Sequence, residues 1–192
     1  MLDALNQIDT NLFLFLNRHH SSFWDIVMWW ASDKFTWIPL YGLVLWLLVK
    51  QNPRKIGLLL LMIVSLVLIS DQSANLAKYV FARLRPSHEP ALQGMLHLVR
   101  NYAGGALGFY SGHASSSFAV AVFAISLAGS RNKWLVPVML LYATLVSYSR
   151  IYLGVHYPGD VLVGAIAGSI YGYAASRLYF IYLRQSAENS QV

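Results

Sequence analysis

Five long apolar stretches recur along the chain, separated by short polar links. Two of them, residues 56–77 and 161–183, reach the roughly 20 residues that a helix needs to cross the apolar core of a bilayer. The other three are shorter and would have to borrow flanking residues or tilt less: 35–49, 112–129 and 134–149. The pattern predicts an all-α, polytopic integral-membrane helical bundle with about five to six transmembrane helices and an N-terminal interfacial helix.

Residues 1–31 carry a helical pattern that is amphipathic rather than wholly apolar. The apolar stripe consists of Leu5, Ile8, Leu12, Phe15 and Leu16. The polar positions beside it are Asp3, Asn6, Asp9 and Asn17. We expect this segment to lie at the membrane interface, with a second short helical piece near residues 24–30. The early acidic residues and the lack of a cleavage site argue against a secretory signal peptide. The whole chain, residues 1–192, is expected to form a single domain. Residues 186–192 are expected to be its polar tail.

Composition supports the membrane interpretation, because 57% of the residues are hydrophobic and only 11% are charged. An ordinary soluble domain has about 25% charged residues, so both a water-soluble globule and a disordered chain are disfavoured. The absence of cysteine excludes disulfides, thiolate metal sites and cysteine nucleophiles. The net charge of +6 is not arranged as a basic run interleaved with aromatics, so no nucleic acid is expected. The bilayer is the expected partner, and no obligatory protein partner is evident.

Two polar links, residues 50–55 and 130–133, are basic, as cytoplasmic turns of membrane proteins tend to be. Alternating the spans from that starting point puts the opposite span ends on the extracytoplasmic face. The connection 87–110 then becomes an extracytoplasmic loop. The sequence thus predicts a protein of the cytoplasmic (inner) membrane whose polar segments converge on the extracytoplasmic, or periplasmic, side.

Three polar segments interrupt the apolar chain, and they supply three cations, Lys78, Arg85 and Arg150. Lysine and arginine side chains are charge-assisted donors, and the arginine fork suits tetrahedral oxyanions. Ser111 and Gly112 open the predicted third span, where a hydroxyl group, free backbone N–H groups and the helix dipole all favour an anion. The cluster predicts an anion site, for which phosphate is the natural candidate.

Two histidines accompany these cations, and a carboxylate stands near one of them. Asp160 begins the predicted last span and can accept a hydrogen bond from one imidazole nitrogen of His156, which leaves the other nitrogen free to act as a nucleophile. His113 starts a different helix and can serve as the general acid. Attack on phosphorus by His156 would give a phosphohistidine, which water activated by His113 would then hydrolyse. No metal or other cofactor is expected, because the carboxylates are too few and too scattered to hold one.

Three spacings resemble the three-part signature of the type 2 phosphatidic acid phosphatase superfamily: Lys78-x6-Arg85-Pro86, Ser111-Gly112-His113 and Ser149-Arg150-x5-His156-x3-Asp160. The resemblance implies that five residues bind phosphate and three carry the catalysis: Lys78, Arg85, Ser111, Gly112 and Arg150 for the phosphate, His113 as the acid, His156 as the nucleophile and Asp160 as its partner. The second motif of the family usually begins with proline, where this chain has Tyr110. The small bacterial members imply a lipid-linked phosphate as substrate, lipid A phosphate or undecaprenyl pyrophosphate first, then phosphatidylglycerol phosphate or phosphatidic acid.

Several alternatives stay open at this point. The same phosphohistidine could pass its phosphoryl group to a second lipid, or the cations could serve a non-enzymatic anion channel or carrier. Asp71, on the same helix face as Lys78, is expected to support that lysine or a neighbouring helix, and a proton relay is the less favoured interpretation. Arg83 is either a functional cation or an interfacial residue whose charge reaches towards water. The loop 87–110 is either a short amphipathic helix over the mouth of the site or a surface loop.

Overall fold

The computed structural model describes residues 2–51, 53–128 and 130–189, and folds them into seven α-helices joined by turns. The helices are α1 (Leu2–Asn17), α2 (Ser22–Ser32), α3 (Ile38–Gln51), α4 (Ile56–Phe81), α5 (Gly112–Ala128), α6 (Leu135–Tyr152) and α7 (Pro158–Glu188). Within these residues, extended pairing is limited to a single antiparallel bridge between Leu84 and Leu107. The predicted all-α bundle is confirmed.

All five predicted membrane spans fall on helices. Three segments are long and apolar enough to cross a membrane: Pro53–Phe81, Leu135–Tyr152 and Pro158–Ser186. The helix α5 is a shorter apolar helix of 17 residues, and α3 has 14. Much of the apolar surface of α4 is exposed, which is the expected state of side chains that face lipid. The predicted third span was drawn to Gly129, which lies outside the described residues.

The helix α5 lies at the centre of the bundle and packs against α4, α6 and α7. Gly164, Gly168 and Gly172 repeat at every fourth position of α7, which predicts a face that a neighbouring backbone can approach closely. The structure confirms this prediction: a Cβ atom on Gly168 would overlap the carbonyl oxygen of Ser115, and one on Gly172 would overlap that of Ala119. The start of α5 is therefore held against the start of α7.

The predicted N-terminal helix is present as α1, and the face that packs on the protein is mixed: the fully buried Phe13 lies there together with Asp9 and Asn17. Leu5, Ile8 and Phe15 are 56%, 63% and 55% exposed, so the apolar stripe faces outward. Asn17 is buried, donates to the carbonyl oxygens of Tyr152 (2.9 Å) and His97 (3.0 Å), and accepts from the His97 N–H (2.8 Å). An outward apolar stripe suits contact with lipid, and the inward polar groups tie α1 to the rest of the fold. The second predicted piece lies within α2.

The connection between α4 and α5 contains no amphipathic α-helix, so that alternative for residues 87–110 is wrong. It is a loop with three short 3₁₀ turns, Pro86–His88, Pro90–Leu92 and Val99–Asn101. Leu92 and Val99 are buried, which fixes the loop against the helices. At the other end of the chain, α7 continues to Glu188, so the expected polar tail begins as helix, and residues 190–192 lie outside the described residues.

Candidate active site

The three polar motifs meet at one end of the bundle, where α4 ends, α5 begins and α7 begins. The helix α4 stops because Ala82 takes a left-handed conformation (φ 47°) and donates its N–H to the carbonyl oxygen of Lys78 (2.9 Å). Pro158 opens α7, a position where its missing N–H costs nothing. The N–H of Ser111 donates to the carbonyl oxygen of Asp160 (3.0 Å), which joins the start of α5 to the start of α7. The other motif residues lie close to His113, because its electrostatic interactions are with Arg150, His156, Arg85 and Lys78.

His156 and Asp160 form a buried pair, with the two side chains only 2% and 0% exposed. The Nδ1 atom of His156 lies 3.4 Å from Oδ2 of Asp160, which also accepts from the N–H of Tyr157 (3.1 Å). The N–H groups of Val155 and His156 both donate to the carbonyl oxygen of Arg150, at 3.1 and 3.2 Å. This turn explains the fixed spacing of the third motif, because it brings His156 back towards the residue that supplies a cation.

The imidazole of His156 is neutral at neutral pH. Burial lowers the pKa of His156 to about 4, and the charges of Arg85 and Arg150 act in the same direction, while Asp160 opposes them. A neutral ring with Nδ1 directed at a carboxylate keeps a lone pair on Nε2. The ring is therefore in the state that nucleophilic attack requires.

Arg85 is held by the loop that precedes α5. Its backbone N–H donates to the carbonyl oxygen of Ala106 (2.9 Å), and its Nε donates to that of Leu107 (3.0 Å). A Cβ atom on Gly104 would overlap the guanidinium, and one on Gly108 would lie 3.1 Å from Arg85 Cγ and 3.3 Å from Asp160 Oδ2. The two glycines thus leave the room that the arginine needs beside Asp160. Burial and the charge of Arg150 lower the pKa of Arg85.

Lys78 and Arg150 are the other two cations, and each is held by a polar side chain. The Nζ of Lys78 donates to Asn75 Oδ1 (2.9 Å), and Asn75 in turn donates to Asp71 Oδ2 (3.2 Å). Asp71 therefore supports Lys78 through Asn75, as the favoured interpretation expected. Arg150 is buried and donates to the Ser32 hydroxyl group, while its Nε has no hydrogen-bond partner among the described residues.

The second motif opens α5 with a buried serine. The Oγ of Ser111 accepts from the N–H of Ala114 (3.4 Å), which caps the helix. Tyr110 stands where the family usually has proline, and it fixes the loop in another way. Its ring is buried, and its hydroxyl group donates to Ser73 Oγ (2.8 Å) on α4. The substitution therefore ties the second motif to the helix that carries the first.

Sequence reasoning left Arg83 undecided, and the structure places it in the site. Its Nη1 donates to Asp160 Oδ1 (2.8 Å), and its Nη2 donates to Asp9 Oδ2 (2.7 Å). Burial opposes the charge of Arg83, but Asp160 and Asp9 outweigh it and raise the pKa. Arg83 is therefore not a free interfacial cation.

Tyr102 projects from the loop 87–110 towards the cations, although no motif or spacing in the sequence had singled it out. Arg150 lies over the face of its ring, 5.7 Å from the centroid, and its hydroxyl group interacts with both Arg150 and Arg85. Burial opposes ionisation, but the two guanidinium groups lower the pKa of Tyr102. Among the residues that the structure describes, no group of three or more His, Cys, Asp or Glu side chains could hold a metal ion.

A family model described as the PAP2 superfamily matches residues 54–184. The chain belongs to the PAP2 superfamily. A lipid A 4'-phosphatase of Bacteroides thetaiotaomicron is 39% identical over 184 residues, which covers 94% of this chain and 80% of that relative. An undecaprenyl-diphosphatase of Sulfolobus acidocaldarius is 34% identical over 167 residues, with 85% of this chain and 68% of that relative covered. The crystal structure of Aquifex aeolicus LpxE shares the fold, with a TM-score of 0.67 and 24% identity over 88% of this chain and 94% of that one.

The helices and the relatives make this chain an integral membrane phosphatase of the PAP2 superfamily. The PAP2 match begins at residue 54, so α1, α2 and α3 lie before it. Asp9 on α1 and Ser32 on α2 nevertheless contact Arg83 and Arg150. Nothing in the three motifs points to these two residues. The one sequence feature that could have indicated a role for Asp9 is its position outside the apolar stripe of α1.

Proposed function

We propose that the protein is an integral-membrane lipid phosphatase that works through a phosphohistidine and needs no metal ion. The observation that carries the proposal is the convergence, at one end of the bundle, of a neutral His156 beside Asp160, a second histidine, His113, and three cations. This set supplies a nucleophile, a proton donor and the positive charge that a transferring phosphoryl group requires.

The reaction would proceed in two displacements. The Nε2 of His156 attacks phosphorus, an N–P bond forms, and the P–O bond to the lipid breaks while His113 donates a proton to the departing oxygen. A water molecule then attacks the phosphohistidine, His113 takes its proton, the N–P bond breaks, and phosphate and free His156 are released. Lys78, Arg85 and Arg150, with the N–H group of Gly112 and the hydroxyl group of Ser111, stabilise the equatorial oxygens in both steps.

The substrate that we propose is a lipid-linked phosphate, with lipid A phosphate or undecaprenyl pyrophosphate first. The support is the printed activity of two relatives, a lipid A 4'-phosphatase and an undecaprenyl-diphosphatase. Phosphatidylglycerol phosphate and phosphatidic acid come next. The exposed apolar surface of α1 and α4 fits a substrate that arrives from the bilayer rather than from water.

We further propose that the protein lies in the cytoplasmic membrane with the site on the extracytoplasmic, periplasmic side. The support is the charge at the opposite end of the bundle, where the basic links 50–55 and 130–133 carry Lys50, Arg54, Lys55, Arg131 and Lys133. Arg131 Nη1 donates to Gln51 Oε1 (3.3 Å), so the two basic links lie at the same end. Positive links of this kind favour the cytoplasmic side.

The test is a panel of purified lipid phosphates, with release of phosphate and mass of the lipid product as readouts. His156→Ala and His113→Ala are expected to abolish release, whereas His19→Ala, a change at an exposed histidine of the N-terminal region, should leave it unchanged. EDTA should have no effect, because the residues above supply both the nucleophile and the charge. Full activity of His156→Ala would reject the nucleophile assignment. Transfer to an acceptor lipid without free phosphate would favour a phosphotransferase, and anion flux in liposomes without hydrolysis would favour a carrier.

A further inference from the structure

We infer that Arg83 and Asp9 are positioning residues that hold and charge-balance Asp160 behind the nucleophile, an inference that rests on the proposed phosphatase function. One guanidinium nitrogen of Arg83 donates to Asp160 Oδ1 (2.8 Å), and the other donates to Asp9 Oδ2 (2.7 Å). The remaining oxygen of Asp9, Oδ1, accepts from the N–H of Gly159 (2.7 Å). Because Gly159 is the residue before Asp160, these contacts close a ring that fixes both the backbone and the side chain of Asp160.

The contacts around Asp160 divide its two oxygens between two tasks. Oδ2 accepts from the N–H of Tyr157 and lies beside His156, whereas Oδ1 receives only the Arg83 guanidinium among the hydrogen bonds of the described residues. Asp160 is fully buried, and a buried carboxylate without a partner for one oxygen is costly. Arg83 therefore supplies the bond that lets Asp160 keep Oδ2 turned towards the histidine.

Arg83 is itself fixed from two further directions, which separates it from the cations that bind phosphate. Its guanidinium lies over the ring of Tyr157, 4.1 Å from the centroid, and Tyr157 is the neighbour of His156. Both Nη atoms are engaged by carboxylates, whereas the Nε of Arg150 has no partner among the described residues. Arg83 thus acts through Asp160 and has no role as a phosphate ligand.

Asp9 brings the N-terminal helix into this arrangement. An acidic side chain at the start of a helix stabilises it, and Asp9 of α1 adds to Asp160, the acid in the first turn of α7 itself. A Cβ atom on Gly159 would lie 2.8 Å from Asp9 Oδ2, so this glycine gives the carboxylate the room to reach the backbone. The inward face of α1 therefore serves the active site through Asp9 as well as the packing of the fold.

The pairing of Arg83 with Asp160 changes the electrostatic environment of His156. The charged and titratable groups that face His156 are Asp160 on α7, Arg85 in the loop after α4, Arg150 on α6 and His113 on α5. Arg83 offsets the negative charge of Asp160. Its loss would leave that charge unbalanced, would favour the imidazolium form of His156, and would move the acid limb of the rate profile to higher pH.

The experiment compares Arg83→Gln, Arg83→Lys, Asp9→Asn and Asp9→Ala in the full-length protein in detergent. Arg18→Gln and Asp3→Asn, at exposed positions in the same N-terminal region, are the matched controls. We expect Arg83→Gln to lower kcat about a hundredfold with KM changed less than about threefold. Arg83→Lys should recover part of kcat. Asp9→Asn keeps an acceptor for the Gly159 N–H and should lose less kcat than Asp9→Ala.

A second readout makes the inference independent of the substrate. Titration of ¹⁵N-labelled histidine by NMR, with His156→Ala used to assign the signal, should give a higher His156 pKa in Arg83→Gln than in the wild type or in Arg83→Lys. An unchanged His156 titration in a folded Arg83→Gln protein would overturn the inference, as would loss of activity that simply follows thermal stability. Failure of the wild type on every lipid phosphate would instead count against the proposed function.

Discussion

Gly164→Ala tests whether the close packing of α7 on α5 positions the active site as well as stabilising the bundle. An ideal Cβ on Gly164 would lie 2.5 Å from the carbonyl oxygen of Ser111 and 3.2 Å from Cβ of Ala114. Lengthening the first contact to 3.0 Å requires the two helices to separate by about 0.5 Å at that point. Ser111 is one of the proposed phosphate-binding residues and precedes His113 by two residues, so the shift moves both.

The expected effects on stability and rate differ in size. Overpacking typically costs about 1–3 kcal/mol, and alanine recovers about 1 kcal/mol relative to glycine inside a helix. The free energy of unfolding should therefore fall by about 0–2 kcal/mol. A misplacement of about 1 Å can cost about a hundredfold in rate, so a shift of half that size is expected to lower kcat about tenfold.

The assay measures thermal unfolding in detergent and the initial rate of phosphate release for a series along one helix face. Gly168→Ala contacts the carbonyl oxygen of Ser115, one turn further from the site, and should destabilise the protein at least as much while lowering kcat less. Gly42→Ala, where a Cβ meets nothing within 4 Å, is the control. If Gly164→Ala keeps full kcat, or if the loss of rate in both variants merely follows the loss of stability, the positioning argument is refuted.

Two further predictions concern the nucleophile and the second motif. Because burial lowers the pKa of His156 to about 4, its nucleophilic neutral form persists as the pH falls, and the acid limb of kcat/KM should lie near pH 4 in a pH–rate profile; a limb near the ordinary histidine value of about 6.5 would contradict this. Tyr110→Phe removes the bond to Ser73 Oγ and should lower the free energy of unfolding by about 0.5–1.5 kcal/mol, measured by thermal or denaturant unfolding. An unchanged stability would mean that the buried ring alone anchors the loop.

The sequence predicted the helices and the motif residues because both leave local signals. The five apolar stretches were long enough to be recognised one by one, and the structure places a helix on each. Lys78, Arg85, Ser111, His113, Arg150, His156 and Asp160 stood out because charged and polar residues are rare in this chain, and their spacings were those of a known family. The structure gathers these residues at one end of the bundle.

The contacts that sequence reasoning missed join residues that are far apart in the chain, so no local spacing of residues indicates them. Asp9 and Asp160 are far apart in sequence, and their common contact with Arg83 exists only after α1 docks on the bundle. The direction of the amphipathic face of α1 was also beyond the sequence. A helix with an apolar and a polar face can direct either one towards the protein, and here the buried side chain of Phe13 and the buried bonds of Asn17 select an inward face that combines both kinds of residue.

The loop 87–110 shows a different limit. Its mixture of apolar and polar residues fitted an amphipathic helix as well as a loop, but Pro86 and Pro90 open short 3₁₀ turns in place of a regular helix. Its role could not be read from the pattern, because Tyr102 reaches the cations only through the fold of the loop.

The most direct test of the central claim, that His156 carries the phosphoryl group, is to trap the intermediate. The wild type is mixed with a lipid phosphate that it hydrolyses, quenched in alkali, digested and examined by mass spectrometry. We predict a phosphoryl group on His156 that is stable to alkali, labile to acid and absent from His156→Ala. A phosphoryl group on any other residue, or its absence throughout turnover under conditions that preserve phosphohistidine, would contradict the account.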